Sequence, residues 1–199
     1  LLYRNLRSEL SRTGAAHEVY SFNDLGAVDL SAVRLFIFPA TFLLTPERRA
    51  RLEREVFRPG KTALFLYAPG ISDGQTLDVA RVRGLTGTDF GAKGLNWTER
   101  NGCRIAYVAD YSSVTMSLLR EVQARAGVHF YADAGLPVAT DGRLLSVHVA
   151  EGGRYAVRLP FRARRVTELW SERVVAEDVE AFDYAFASPD TALFRLEKE

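Results

Sequence analysis

Leu2, Leu6 and Leu10 recur at helical spacing with Tyr3 beside them, while Arg, Ser and Glu fill the opposite face. The pattern predicts an amphipathic helix ended by Gly14 at a C-cap position. Glu18–Phe22 alternates as a short strand does, and Asn23-Asp24-Leu25 reads as a turn or short helix. Val33–Pro39 and Thr62–Ala68 are compact apolar runs rich in β-branched and aromatic residues, as in buried strands of a parallel sheet. Between them Thr45 offers an N-cap and Pro46 an N1 residue, so a helix is predicted to about Val56, ended by Pro59-Gly60. Strand, helix and strand in that order form a βαβ unit, right-handed in nearly every fold. Leu77–Leu85 reads as another helix, with Gly84 and Gly87 near its end. Cys103–Val108 reads as a strand, Ser113–Ala126 as a helix closed by Gly127, and Val128–Tyr131 as a strand.

From about Leu136 the pattern changes to short strands: Leu145–Val149, Tyr155–Leu159, Arg165–Leu169, Ala181–Phe186 and Ala192–Leu196. Glu151-Gly152-Gly153, Pro160 and Ser188-Pro189-Asp190 supply turn signals between them. Short strands at such spacing predict an antiparallel sandwich or sheet. The expected organisation is an α/β domain over residues 1–135 and a small all-β domain over 136–199.

Composition narrows the setting. The 199 residues are 47% hydrophobic and 26% charged, as in ordinary globular proteins. Twenty-six Lys and Arg against 25 Asp and Glu give a net charge of +1, so no nucleic-acid or anionic-membrane partner is expected. No apolar run approaches the roughly 18 residues of a membrane span. Leu1–Arg7 has no basic stretch followed by an apolar core, as a signal peptide would. Cys103 is the only cysteine, which excludes an intrachain disulfide and a cysteine metal cluster. The expectation is a cytoplasmic chain without cofactor or metal. It starts without Met inside a predicted helix, so it reads as a piece of something longer.

Candidate chemistry is sparse. A nucleophilic cysteine would sit on a sharp strand-to-helix turn, near a histidine oriented by a carboxylate. Asn101-Gly102-Cys103-Arg104-Ile105 instead opens a strand, which favours packing. His17, His129 and His148 match neither the i, i+4 pair of zinc proteases nor a finger spacing. Glycine-rich phosphate cradles are missing, and no pair of carboxylates stands in a setting that marks a glycosidase. The most suggestive segment is Ala68–Gly74, after the C-terminal end of a buried strand, where open α/β sheets place their sites. There Gly70, Ser72 and Asp73 form a candidate ligand or interface loop. Asn96-Trp97, read as a loop, adds an aromatic able to stack on a sugar. Arg162, Arg164 and Arg165 read as a solvated strand face. Trp170 and Tyr184 are aromatics of the β domain able to meet a carbohydrate, with core packing as the ordinary alternative.

Several segments together carry a family resemblance. Gly14–Tyr20, Leu35–Pro39, Leu44–Arg48, Gly60-Lys61-Thr62 and Leu66–Gly70 resemble the amidotransferase-like, or trimerisation, domain of bacterial β-galactosidase-like glycoside hydrolases of family 42. Val147–Gly153, Val157–Pro160, Leu169-Trp170 and Thr191–Leu196 resemble the small β domain that ends such proteins. The resemblance implies a flavodoxin-like or class I glutamine amidotransferase-like sheet whose leading strand is missing here, followed by a small antiparallel β-sandwich. It implies homo-oligomer contacts through the α/β domain and a catalytic barrel upstream in the same polypeptide. A carbohydrate partner follows as a further expectation. The family's catalytic glutamates lie on that barrel, so no catalytic residue is carried over. A degenerate amidotransferase-like hydrolase and a carbohydrate-binding module are the alternative readings.

Overall fold

The computed structural model describes residues 2–198 and the side chains of Asn5–Lys198. The chain forms two compact units, one made of residues up to Leu6 with Val19–Val128, the other of Arg7–Glu18 with the residues from His129 onward. The opening helix, α1, spans Leu2–Ser11. Leu6 is buried, whereas the side chains of Leu2 and Tyr3 lie outside the described residues.

In the first unit the βαβ pattern forms as β1 (Leu35–Phe38), α2 (Pro46–Glu55) and β2 (Thr62–Leu66). Thr45 Oγ1 accepts from the Arg48 N–H at 3.3 Å, and Pro46 needs no donor at N1, so α2 starts where the cap dictates. After α3 (Ala80–Thr86) come β3 (Leu95–Arg100), β4 (Cys103–Val108) and α4 (Met116–Ala126). The sheet order is β1-β2-β4-β3, with β1, β2 and β4 parallel and β3 antiparallel to β4. One face packs Phe36, Phe38, Phe65, Ile105 and Tyr107 against Leu52 of α2, Val56 at its C-cap, and Val82 and Leu85 of α3. On the other face Arg104 donates to the Arg125 carbonyl of α4, beside buried Leu64, Leu66 and Ala106. The architecture is α/β.

The second unit holds β5 (Val138–Thr140), β6 (Leu144–Val149), β7 (Gly153–Glu168), β8 (Arg173–Phe186) and β9 (Asp190–Glu197). They form one antiparallel sheet in the order β5-β6-β9-β7-β8. A register shift between Arg158 and Ala163 bends the long β7–β8 ribbon. Val157, Phe182 and Phe186 therefore share a core with Leu145, Val147 and Phe194. Where a sandwich was expected, hydrogen bonding joins the strands into a single sheet.

Several local expectations need correction. Glu18–Phe22 is no strand: Val19 is 66% exposed, and Ser21 caps a 3-10 turn over Phe22–Asp24. Val128–Tyr131 lies outside the strands, because Tyr131 and Ala132 spend their N–H groups on the Gly14 carbonyl. Asn96-Trp97 belongs to β3, paired with Tyr107 and Ala106 of β4. Pro160 turns nothing and sits inside β7 at the register shift, where a missing N–H is tolerated. The third helix begins at Ala80, leaving Leu77 exposed in the preceding loop.

Candidate functional site

The C-terminal edge of the parallel strands, where open α/β sheets place their sites, carries a cluster of aromatic rings. Tyr67 directly follows β2 with φ 64°, a left-handed backbone that costs a non-glycine residue about 1–2 kcal/mol. Its carbonyl accepts the Tyr107 hydroxyl at 2.5 Å, and its N–H donates to Val108 at 2.8 Å. Those two bonds hold the sharp turn. The Tyr67 ring meets Phe42 at 5.8 Å and Phe90 at 5.7 Å, both edge-on, and Tyr111 at 6.3 Å. Tyr67 is 43% exposed and Phe90 38%, so the cluster faces solvent. Tyr111 lies on a 3-10 turn after β4, fixed by Asp110, whose carboxylate accepts from the Ser112 hydroxyl and N–H. These bonds, the hydroxyl's first, hold the Asp110 carboxyl below its ordinary range. Among the described residues the buried Tyr111 hydroxyl oxygen has no hydrogen-bond partner.

The loop singled out in the sequence lies on the same edge. Gly70 has φ 66° and donates its N–H to Thr41 at 2.7 Å, and an added Cβ would press within 3.1 Å of Leu44. Ser72 bridges two strand-like segments, pairing with Leu43 in parallel and Leu77 antiparallel. Both leucines are exposed, which extends the apolar surface. Asp73 is committed internally. Its carboxylate accepts from the Thr76 and Gln75 N–H groups, both at 2.9 Å, and pairs with Arg81 at 2.7 Å. The two backbone bonds lead in holding its carboxyl below the usual carboxylate range. Trp97 stands apart on edge strand β3, with the Arg125 guanidinium 4.2 Å above its ring. The structure thus gathers Gly70, Ser72 and Asp73 in one loop and places Trp97 elsewhere.

Cys103, the histidines and the Arg162–Arg165 cluster form no catalytic arrangement among the described residues. Cys103 starts β4, at the opposite end of the strand from this edge, and is buried in the α2–α3 core. Burial pushes its thiol up to about 11, away from the nucleophilic thiolate. His129 Nε2 lies 3.0 Å from the Arg158 carbonyl, and His148 Nδ1 lies 2.9 Å from Thr191 Oγ1. Burial, then the charge of Arg7, lowers the His17 pKa, and its buried Nδ1 has no hydrogen-bond partner among the described residues. Arg162, Arg164 and Arg165 pair with Asp178, Glu197 and Glu177. Among the described residues no three His, Cys, Asp or Glu side chains gather as a metal site, and no helix is long and apolar enough to cross a membrane.

The aromatic cluster escaped sequence reading, although its signal was present. Phe42, Tyr67 and Tyr111 each lie just beyond the C-terminal end of a parallel strand. Reading Tyr67 as the last residues of an apolar run hid the turn it occupies.

No family model and no curated protein sequence matches the chain. Solved structures do match it. A β-galactosidase from Bacillus circulans sp. alkalophilus superposes with TM-score 0.71 at 15% identity, covering 98% of this chain and 37% of that one. A GH42 β-galactosidase from G. stearothermophilus gives 0.65 at 12% identity over 98% and 36%. A β-galactosidase from the haloarchaeon Halorubrum lacusprofundi gives 0.61 at 14% over 98% and 35%. The chain therefore spans little more than a third of the enzymes it matches, and over nearly its whole length it has the fold of a part of GH42 β-galactosidases.

Proposed function

We propose that this chain is a non-catalytic accessory and assembly region of a β-galactosidase-like glycoside hydrolase. The supporting observation is the coverage: 98% of this chain superposes on 37% of a β-galactosidase. The chemistry agrees, since the edge where an α/β sheet would host catalysis carries Tyr67, Phe90 and exposed leucines in place of an acid/base pair. In this reading the first unit is a flavodoxin-like, amidotransferase-like sheet whose nucleophile turn has become the Tyr67 turn. It serves as a trimerisation-type domain, and a catalytic barrel precedes it in the same polypeptide. The apolar edge around Tyr67, Leu43 and Leu77 makes the homo-oligomer contact. The Gly70–Ser72 backbone shapes the loop, while Asp73 holds it rigid. A reducing, cytoplasmic setting fits the single free cysteine.

Light scattering after size exclusion tests the assembly role. The expected result is an oligomer of the full polypeptide that falls to monomer mass when Tyr67 and Phe90 are both changed to Asp. A full polypeptide that is monomeric throughout, or an oligomer indifferent to both changes, overturns it. A nitrophenyl β-galactoside should be hydrolysed only when the barrel is present.

A further inference from the structure

Trp170 is the most exposed large hydrophobic side chain of the second unit, at 73%, and its indole is hydrogen-bonded. It lies in the four-residue turn between β7 and β8. Its indole N–H donates to the Thr191 carbonyl at 3.2 Å, and its backbone N–H donates to Glu168 at 2.9 Å. Glu168 is buried, 3% exposed, and also accepts from the Ser171 N–H at 2.8 Å and hydroxyl at 2.6 Å. Burying a carboxylate is costly unless it is fully bonded, so the turn is built around this anchor. Glu172 completes it with φ 54°. Thr191 links onward, its hydroxyl lying 2.9 Å from Nδ1 of exposed His148 on the neighbouring strand. Trp170, Thr191 and His148 therefore form a row, an apolar plate followed by hydrogen-bonding groups.

We propose that this row is a carbohydrate subsite, with the Trp170 ring stacking on the apolar face of a pyranose and His148 and Thr191 meeting its hydroxyls. With its N–H already spent on Thr191, the indole offers a ligand its π-face. Sugars present the matching surface, a flat patch of C–H bonds ringed by hydroxyls. A ring held by its indole hydrogen bond on a backbone anchored to Glu168 loses little freedom on binding, so a weak contact becomes usable. An ordinary exposed aromatic needs no anchor, whereas this turn sets a buried carboxylate beneath it. The choice of sugar as ligand rests on the glycoside-hydrolase reading above, but the test is separable from it, because assembly is read by mass and this site by saccharide titration.

Trp97 and Trp170 are the two tryptophans, so Trp97→Phe makes fluorescence a report on Trp170 alone. That variant is titrated with galactose, lactose and a β-galactan oligosaccharide. A saturable change is expected with a dissociation constant of about 1–10 mM, the range of a single stacking site. By heteronuclear NMR of the otherwise unchanged chain, Trp170→Ala should remove the saccharide-induced shifts, Trp170→Tyr should retain part of them, and His148→Ala should weaken binding severalfold. No response up to about a hundred times that concentration range's lower end, or shifts surviving in Trp170→Ala, overturns the proposal. A drop in oligomer mass on Trp170→Ala without any saccharide response also overturns it, and assigns the ring to a protein contact.

Discussion

Tyr67 concentrates two opposing effects in one residue. Its left-handed backbone is strained, while its ring gains contacts with Phe42, Phe90 and Tyr111. Alanine would lose the ring and keep the strain, whereas glycine would lose the ring and relax the backbone. Tyr67→Gly should therefore be more stable than Tyr67→Ala by about 1 kcal/mol in urea unfolding, the reverse of the usual order. Equal stabilities would mean that the turn adapts to alanine. Cys103 makes a second residue-scale prediction. Its thiol rises from 9.0 to about 11 because burial disfavours the thiolate. The neutral form is the one the fold stabilises, so this contribution is whole below pH 9.0 and is lost as pH climbs through about 11. Cys103→Ala should flatten the alkaline fall in stability over that window. Native protein at pH 7 should resist alkylation that proceeds readily in urea.

At the scale of elements, the β7–β8 turn depends on Glu168. Burial alone would raise its pKa, but the Ser171 hydroxyl, two backbone N–H groups and the charge of Arg173 outweigh that and hold it below its ordinary value. A depressed carboxyl contributes stability above the unfolded value of about 4.3, and that contribution drains as pH falls through the folded value. Stability at pH 3 should accordingly drop more in the native chain than in Glu168→Gln, which keeps one acceptor oxygen. At pH 7 that variant should lose about 1–3 kcal/mol. Equal losses at both pH values would show that the carboxylate charge is unimportant. Glu168 also marks what sequence could and could not disclose. Capped helices and doubly buried strands were legible, because Thr45-Pro46 and the apolar run Thr62–Leu66 each have a local cause. The continuous ribbon was not. Pro160 read as a turn and split it, although Arg162 and Arg165 on its solvated face were legible as such and pair across strands with Asp178 and Glu177. Likewise Glu18–Phe22 has strand-like alternation but no strand beside it, and alternation needs a neighbour to become a sheet. Near the candidate site, Gly70–Asp73 was legible as a loop that follows β2. The rings around it come from four separate segments: Phe42, Tyr67 and Tyr111 follow parallel strands, but Phe90 follows α3 and had no such signal.

For the whole molecule, the unusual feature is that the β-rich unit is assembled from both ends of the chain. Arg7–Glu18 belongs with the residues from His129 onward, although some 110 positions separate them. The link is specific backbone bonding: the Gly14 carbonyl accepts from Tyr131 at 2.8 Å and Ala132 at 3.2 Å, and Gly135 donates to the Arg12 carbonyl at 2.7 Å. Gly14 is required there twice over. Its φ is +77°, and a Cβ would fall 2.2 Å from the Ala132 carbonyl oxygen, a backbone atom with no side-chain freedom to yield. Gly14→Ala should therefore cost about 3 kcal/mol or more, and the cost should fall on one unit. Hydrogen exchange resolves where it falls. Amides of β6 and β9, such as Val147 and Phe194, should lose protection, while those of β2 and β4, such as Leu64 and Ala106, should keep theirs. A fragment of residues 129–198 should show the same weakness, and joining residues 7–18 to it through a flexible Gly/Ser linker should restore much of the protection. If Gly14→Ala instead lowered protection equally in both sheets, the two units would unfold as one. A segment placed early in the chain would then act as a core element of the entire molecule, not as the N-terminal tie of its β-rich part.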